Sequence, residues 1–483
     1  MDITKGTAME MRERIINKEI SARELVKAHM DRIEEMEGKI NAFITVTKEE
    51  AFKKADLIDA KIKNGEDLGA LAGIPIGIKD NIITEGIRTS CGSKMLENFI
   101  PPYEATVVDK INKEDGIILG KTNMDEFAMG SSTETSYFGT TKNPLDLERV
   151  PGGSSGGSAA AVKSNEVALS LGSDTGGSVR QPASFCGVVG IKPSYGLVSR
   201  YGLVSLANSF DQIGVMGRNV KDAALMLQVI VGHDAKDSTS TDMERINYLD
   251  DLNEDIRDMK IAVPKEFFEI DMDNRVRENV EKAIKVFEEL GGKVEEISLP
   301  NSKYGLPTYY ILSTAEISSN MSRFDGIRYG YRAKEYNSLD ELYMNSRSEA
   351  FGKEVKRRIM VGTYALSRDH TEDYYKKALK VRTLIKNELD EAFKKYDIIL
   401  SPTSPHLPFK IGERINDPVN MYKADCFTIL ANLAGICALS IPCGYIEGLP
   451  VGLQIMGDRY KEIDILKAAY AFELATGGVN NAL

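Results

Sequence analysis

The sequence contains no tryptophan, four histidines in 483 residues, and five cysteines with no CxxC pair. Each scarcity excludes something. There is no Trp for an interfacial belt, and the longest apolar stretch, residues 223–231, falls far short of a bilayer span of about 20 residues. The first six residues, Met1 to Gly6, show no basic start leading into an apolar run, so no secretory signal is read there. A cytoplasmic protein with no membrane contact is expected. Cys91, Cys186, Cys426, Cys437 and Cys443 read as scattered free thiols of a reducing compartment. His29, His233, His370 and His406 never approach ligand spacing, so no metal site is expected. His29 follows the capping box Ser21-Ala22-Arg23-Glu24 and shares its helix with Leu25, Val26, Met30 and Ile33, which marks it as a packing or surface residue.

Basic charge is short as well. Sixty-one Lys and Arg against 72 Asp and Glu leave a net charge of -11, the wrong balance for a chain acting mainly on phosphate backbones. Phosphate-cradling loops are also missing. Gly152 to Ser158 and Gly172 to Ser178 have the glycine spacing of a P-loop without its Lys, and no GxGxxG follows a strand. Nucleotide binding by this chain is not expected.

The composition that remains, 42% hydrophobic and 28% charged, is that of a globular protein, and the length alone would accommodate about three domains. The first 135 residues alternate between patterns. Residues 48–62 and 107–115 read as helices, and residues 73–78, ending at Lys79-Asp80-Asn81, and 116–120 as strands. Such alternation predicts a layered α/β arrangement with a largely parallel sheet. Residues 233–258 form a polar, acidic joint. Beyond it, residues 261–263, a helix presenting Val276, Val280, Ala283, Phe287 and Leu290 and capped by Gly291, and a strand over 294–297 make a βαβ unit. Residues 301–395 are mostly helical in pattern, with a long stretch over 371–393. Strand patterns return at 397–400, 438–441 and 451–456, which predicts one sheet assembled from both ends of the chain.

The candidate chemistry lies in two Gly/Ser segments. Pro151 to Ser158 would pass for a flexible linker, but Ala159-Ala160-Ala161-Val162 follows as a buried helix start, and residues 167–172 as a buried strand. Glycines beside apolar structure mark close backbone approach. Ser178 sits just past that strand in a tight glycine turn, before a helix that could begin near Arg180. Thr175, Gly176, Gly177 and Ser178 could offer N–H groups as an oxyanion hole, worth roughly 3 to 4 kcal/mol per donor. Arg180 occupies the second-glycine position of a GxSxG elbow, and no histidine lies in a glycine-rich or strand-end setting, so a Ser-His-Asp triad is not expected. A serine nucleophile would need another base. Lys79, ending an apolar strand, qualifies if burial keeps it neutral. Two bland alternatives stand beside this: a purely structural turn at Ser178, and a Lys79 paired with Asp80.

Gly152-Gly153-Ser154-Ser155-Gly156-Gly157-Ser158 and Gly172 to Pro182 resemble the amidase signature over its whole pattern. The resemblance implies an α/β amidase-signature fold: a large mixed central β-sheet covered by α-helices on both sides, formed by residues 1–483 as a single amidase domain with a mainly helical embellishment around 301–395. It implies a Ser-cisSer-Lys triad of Ser178, Ser154 and Lys79. Tyr195 to Leu203, Ser322 to Gly330 and Arg357 to Tyr364 are similar to one branch of that family, the glutaminase subunits of heterotrimers that convert Glu-tRNA(Gln) to Gln-tRNA(Gln). For that branch the resemblance implies glutamine contacts at Tyr309, Arg358 and Asp425, and partner subunits B and C. ATP, Mg²⁺ and most tRNA contacts would belong to B, whose choice also governs Asp-tRNA(Asn). The chain departs from the family's usual residues at Leu197, Val215 and Cys437, none of them in the triad or the glutamine contacts. A stand-alone amidase of another small amide and a non-catalytic scaffold remain as rival readings.

Overall fold

Two capping boxes open the chain. Thr7 and Glu10 exchange hydrogen bonds before helix Ala8–Ile16, and Ser21 and Glu24 do so before helix Ala22–Ile40, the second box being the one expected from its spacing. The structure, a computed structural model, describes residues 2–243 and 246–477. Met1, residues 244–245 of the polar joint and residues 478–483 of the expected 1–483 unit lie outside them. His29 is fully buried on the second helix, with Nδ1 3.1 Å from the Glu166 carbonyl, so it is a packing residue.

Among the described residues, eleven strands form one sheet. They are β1 Phe43–Val46, β2 Pro75–Lys79, β3 Ile117–Thr122, β4 Leu169–Asp174, β5 Val189–Lys192, β6 Gln212–Gly217, β7 Lys260–Pro264, β8 Lys293–Ile297, β9 Ile398–Pro402, β10 Cys437–Ile446 and β11 Leu449–Gly457. Their order is β1-β3-β2-β4-β6-β5-β10-β11-β9-β7-β8, so the C-terminal hairpin does sit between strands from the first half and the βαβ unit. That unit appears as predicted, β7 and β8 being parallel with helix Asn274–Glu289 between them.

The largely parallel sheet read from the first 135 residues is corrected. Only the β2–β3, β2–β4, β7–β8 and β7–β9 pairs are parallel; the rest are antiparallel, and the sheet is mixed. Helix–strand alternation reports local crossovers, whereas β6 and the β10–β11 hairpin enter the sheet through long-range pairings that leave no periodic trace.

Alternate residues of the central strands feed two apolar layers. Ile398 and Leu400, Leu439 and Ile441, and Leu453 and Ile455 pack into one; Ile399, Ala438 and Met456 pack into the other. A period of two puts neighbours on opposite faces, so both faces of the sheet are covered. The second layer also holds Tyr309, Leu312, Val355, Ile385 and Leu389, from the helices Gly305–Met321, Lys353–Leu366 and Lys377–Phe393. Residues 301–395 are thus mostly helical, as expected, with a non-helical break over 322–338.

Candidate active site

β2 and β4 are adjacent and parallel, with Ile78 opposite Leu171. Their C-terminal ends therefore deliver Lys79 and the turn after Asp174 to the same edge of the sheet, where α/β proteins commonly place their ligands. Lys79 is fully buried. Its Nζ lies 2.7 Å from Ser154 Oγ, 2.8 Å from Ser155 Oγ and 3.3 Å from the Ser173 carbonyl. Burial lowers its pKa to about 7, with Asp125, Asp174 and Asp211 pulling the other way. A substantial neutral fraction is therefore present near neutral pH.

The alternative pairing with Asp80 is not realised. Successive side chains on an extended segment point to opposite sides, and Asp80 turns instead to Lys121, at 3.5 Å, and to Ser90.

The Gly/Ser segment before helix Gly156–Lys163 is buried throughout and carries a cis peptide between Gly153 and Ser154. Gly153 is required by crowding: a Cβ there would lie 2.1 Å from Asp125 Oδ2. Gln181 clamps the segment, accepting from Gly153 N–H at 2.9 Å and donating to the Ser131 carbonyl at 3.1 Å. Ser155 N–H donates to the Ser178 carbonyl at 3.2 Å, which ties the two Gly/Ser loops together. Lys79, Ser154 and Ser178 are thus gathered at one place, with Ser178 the partly exposed member.

Around Ser178 the expected donor set is narrowed. Gly177 N–H is committed to Asp174 Oδ1 at 2.8 Å, and Val179 N–H to Asp174 Oδ2 at 3.1 Å. Thr175, Gly176 and Ser178 keep N–H groups with no acceptor among the described residues. Gly177, at φ 134°, could not carry a side chain, since a Cβ would lie 2.2 Å from Thr428 Oγ1. Asp174 itself is gripped by Arg180. Burial opposes its ionisation, but the guanidinium more than offsets this and holds its pKa at about 2.

A second group lies beside the first. Arg358, on helix Lys353–Leu366, is buried, and its Nε donates to Glu354 Oε1 at 2.8 Å. It lines a cavity of about 200 Å³ with Ser131, Glu354 and Tyr422. Asp425 is buried in a turn of 3₁₀ helix, Lys423–Asp425, and its Oδ2 accepts from Ser131 Oγ at 2.8 Å and Tyr310 Oη at 3.2 Å. Burial raises its pKa to about 7. Tyr309 packs edge-on against Tyr310 and Phe210, and a Cβ added at Gly176 would meet its hydroxyl at 2.6 Å. Tyr309 therefore walls the space between the serine turn and the Arg358–Asp425 pair.

Sequence reasoning missed Ser155, Ser131, Tyr310 and Glu354. Ser155 had a signal, being next to Ser154 in the same motif, but only the fold shows that both hydroxyls meet Lys79. Tyr310 likewise adjoins Tyr309, whereas Ser131 and Glu354 sit in ordinary polar contexts with no signal.

The chain belongs to the amidase family, whose profile matches residues 24–466. Within it, the A subunit of glutamyl-tRNA(Gln) amidotransferase from Caldanaerobacter subterraneus subsp. tengcongensis is 60% identical over 475 residues, covering 98% of this chain and 97% of that one. The crystal structure of the Thermotoga maritima protein of the same name shares 45% identity over 98% of this chain and 95% of its own, with a TM-score of 0.81. A bacterial aryl acylamidase of the amidase signature family matches at a TM-score of 0.86 and 29% identity, covering 98% and 96%. The less similar sequence has the higher TM-score, so the backbone alone does not separate substrates; the pocket must.

Proposed function

We propose that this chain, acting as one amidase unit over residues 1–483, is the glutaminase subunit of a heterotrimeric glutamyl-tRNA(Gln) amidotransferase. The observation that carries this reading is one buried cation and one buried anion, Arg358 and Asp425, bridged by Tyr310 next to the Ser/Lys cluster. A free amino acid needs that pairing: a guanidinium fork for its carboxylate and a carboxylate for its ammonium. An N-acyl or simple amide needs neither. The 60% and 58% identities to proteins named as this subunit support the same assignment.

In the proposed reaction Ser178 Oγ attacks the side-chain amide carbon of glutamine. Its proton passes to Ser154 Oγ, whose own proton moves to neutral Lys79 Nζ. The oxyanion forms toward the N–H groups of Thr175, Gly176 and Ser178. The relay then runs backwards, a proton reaches the leaving nitrogen, and ammonia departs from a Ser178 ester. Water activated by the same relay cleaves the ester to glutamate.

Ammonia protonates readily in bulk water, so its use demands a closed passage to a partner. We infer that subunits B and C complete the assembly in the cytoplasm. ATP, Mg²⁺ and most contacts to misacylated tRNA are assigned to B, which fits the net charge of -11 and the missing P-loop Lys here. The described residues include no helix long and apolar enough to cross a membrane.

A stand-alone hydrolase of another small amide is the competing reading, and the aryl acylamidase likeness is what favours it. Arg358→Ala separates the two. Under the glutaminase reading it lowers kcat/KM for glutamine about 10³-fold, the loss of a charged bidentate contact, and leaves hydrolysis of a small neutral amide within about threefold. Equal, small effects on both substrates would support the stand-alone hydrolase.

The pH profile supplies a further check. The base must be neutral, so activity falls as Lys79 is protonated below its pKa of about 7. In the free pocket Asp425 also loses its charge below about 7. The profile of kcat/KM reports free-enzyme groups, so its acid limb should approach a slope of about two, whereas kcat should show about one, because bound ammonium keeps Asp425 ionised. Asp425→Asn should reduce the kcat/KM slope to about one; an unchanged slope would remove Asp425 from substrate binding.

A further inference from the structure

Arg358 offers two edges to a carboxylate, one through Nε and one through its two Nη groups. The structure commits the first. Nε donates to Glu354 Oε1 at 2.8 Å, and the same oxygen accepts from Tyr422 Oη at 2.6 Å. Glu354 Oε2 is held in turn by Arg357 Nη1. Burial works against a charged Glu354, but the Arg358 guanidinium and then the Tyr422 hydroxyl hold its pKa below the ordinary value, so it is ionised.

Two rings flank the guanidinium on one side. Tyr310 and Tyr422 stack at 4.0 Å and 21°, and the Arg358 Cζ lies 5.4 Å from one centroid and 5.2 Å from the other. Nearly equidistant from two centroids that are themselves only 4.0 Å apart, the guanidinium lies at the flank of the stacked pair, which closes that side of it to other partners. Both Nη groups, on a side chain only 5% exposed, have no acceptor among the described residues, and Arg358 lines the cavity. The two N–H bonds that point along that edge, one from each Nη, are therefore what the pocket presents.

We propose that Glu354, with Tyr422, is the positioning residue for substrate carboxylate recognition. It occupies the Nε edge of Arg358 and so turns the two Nη groups into the cavity as a preset fork for the α-carboxylate. This rests on the glutamine reading above. The device extends to the other pole, because Tyr310 carries Arg358 over its ring while its hydroxyl donates to Asp425 Oδ2, at 3.2 Å. With Ser131 on the same oxygen, Asp425 keeps Oδ1 for the substrate ammonium. Glu354 touches no reacting atom; it acts through Arg358.

The test uses the assembled complex and two amides that differ only at the α-carbon: glutamine and 4-aminobutanamide, which lacks the carboxylate. Glu354→Gln keeps a hydrogen-bond acceptor without the charge and should raise the glutamine KM about 10-fold, while Glu354→Ala should raise it about 100-fold. In both, kcat for glutamine should stay within about threefold, and kcat/KM for 4-aminobutanamide should stay within about twofold of wild type. Tyr422→Phe leaves the ion pair in place and should raise the glutamine KM about threefold, which serves if the Glu354 variants do not fold. An unchanged glutamine KM in Glu354→Gln and Tyr422→Phe overturns the proposal. So does an equal loss on both amides, the mark of a general structural effect. A wild-type complex that releases ammonia from 4-aminobutanamide but not from glutamine overturns the glutamine reading itself.

Discussion

Ser178→Ala is expected to lower kcat for glutamine hydrolysis about 10⁵-fold or more, the loss seen when a nucleophile is removed from an intact relay. Lys79→Ala should cost about as much, because a serine relay without its base cannot shed its proton. The double variant should be scarcely worse than either single one, since residues acting as a unit are strongly non-additive. Ammonia release by the assembled complex, together with labelling of Ser178 by a serine-reactive probe, measures both. Additive losses, or full labelling in Ser178→Ala, would remove Ser178 and Lys79 from a common relay. The basis is geometric: Lys79 Nζ lies 2.7 Å from Ser154 Oγ in a fully buried setting that keeps its pKa at about 7.

Asp174→Ala should be the most damaging change to stability, by about 3–5 kcal/mol in chemical denaturation at pH 7. Every donor of Arg180 is used: Nε and Nη2 on Asp174, Nη1 on the Thr428 carbonyl and Gln454, and Nη2 also on Asn432. Both partners are fully buried, so removing the carboxylate strands a guanidinium charge in the interior. Replacing both by apolar residues of similar volume should cost less than Asp174→Ala alone. The pair also holds Gly177 and Val179 N–H, so the serine turn loosens with it. Its pH dependence has a definite sign. Asp174 is held at about 2, below its ordinary 3.8, so its contribution is complete above pH 4 or so and is lost as pH falls through about 2. A loss below 1 kcal/mol in Asp174→Ala would mean that water reaches Arg180 and the site is less sealed than its burial implies.

Much of the local structure was legible because it is written in short-range chemistry. The capping box at Ser21, the helix ending before Gly291 and the apolar run into Lys79 depend on neighbours within a few residues, and each appears where its pattern places it. The two Gly/Ser segments declared themselves in the same way, since glycine between apolar runs signals close approach. A Cβ at Gly153 would indeed lie within 2.1 Å of Asp125. Strand direction was not legible in this way. The antiparallel pairing of β6 with β4 skips over β5, and that of β10 with β5 joins segments far apart in sequence, and nothing local encodes either.

The sequence by itself determined the family, the two Gly/Ser loops and the need for a base other than histidine, because these follow from residue types at fixed spacing. Residue types alone left the partner of Lys79 open between Asp80 and a serine; the family resemblance implied Ser154, and the packing places the two together. Asp80 is adjacent in the chain but faces away, while Ser154 is 75 positions distant and lies 2.7 Å from Nζ. Only the fold sets Glu354 and Tyr422 behind Arg358 and Tyr310 between Arg358 and Asp425. Charged side chains are common on every surface, and their chemistry is ordinary until burial removes water and leaves each with the few partners that packing supplies.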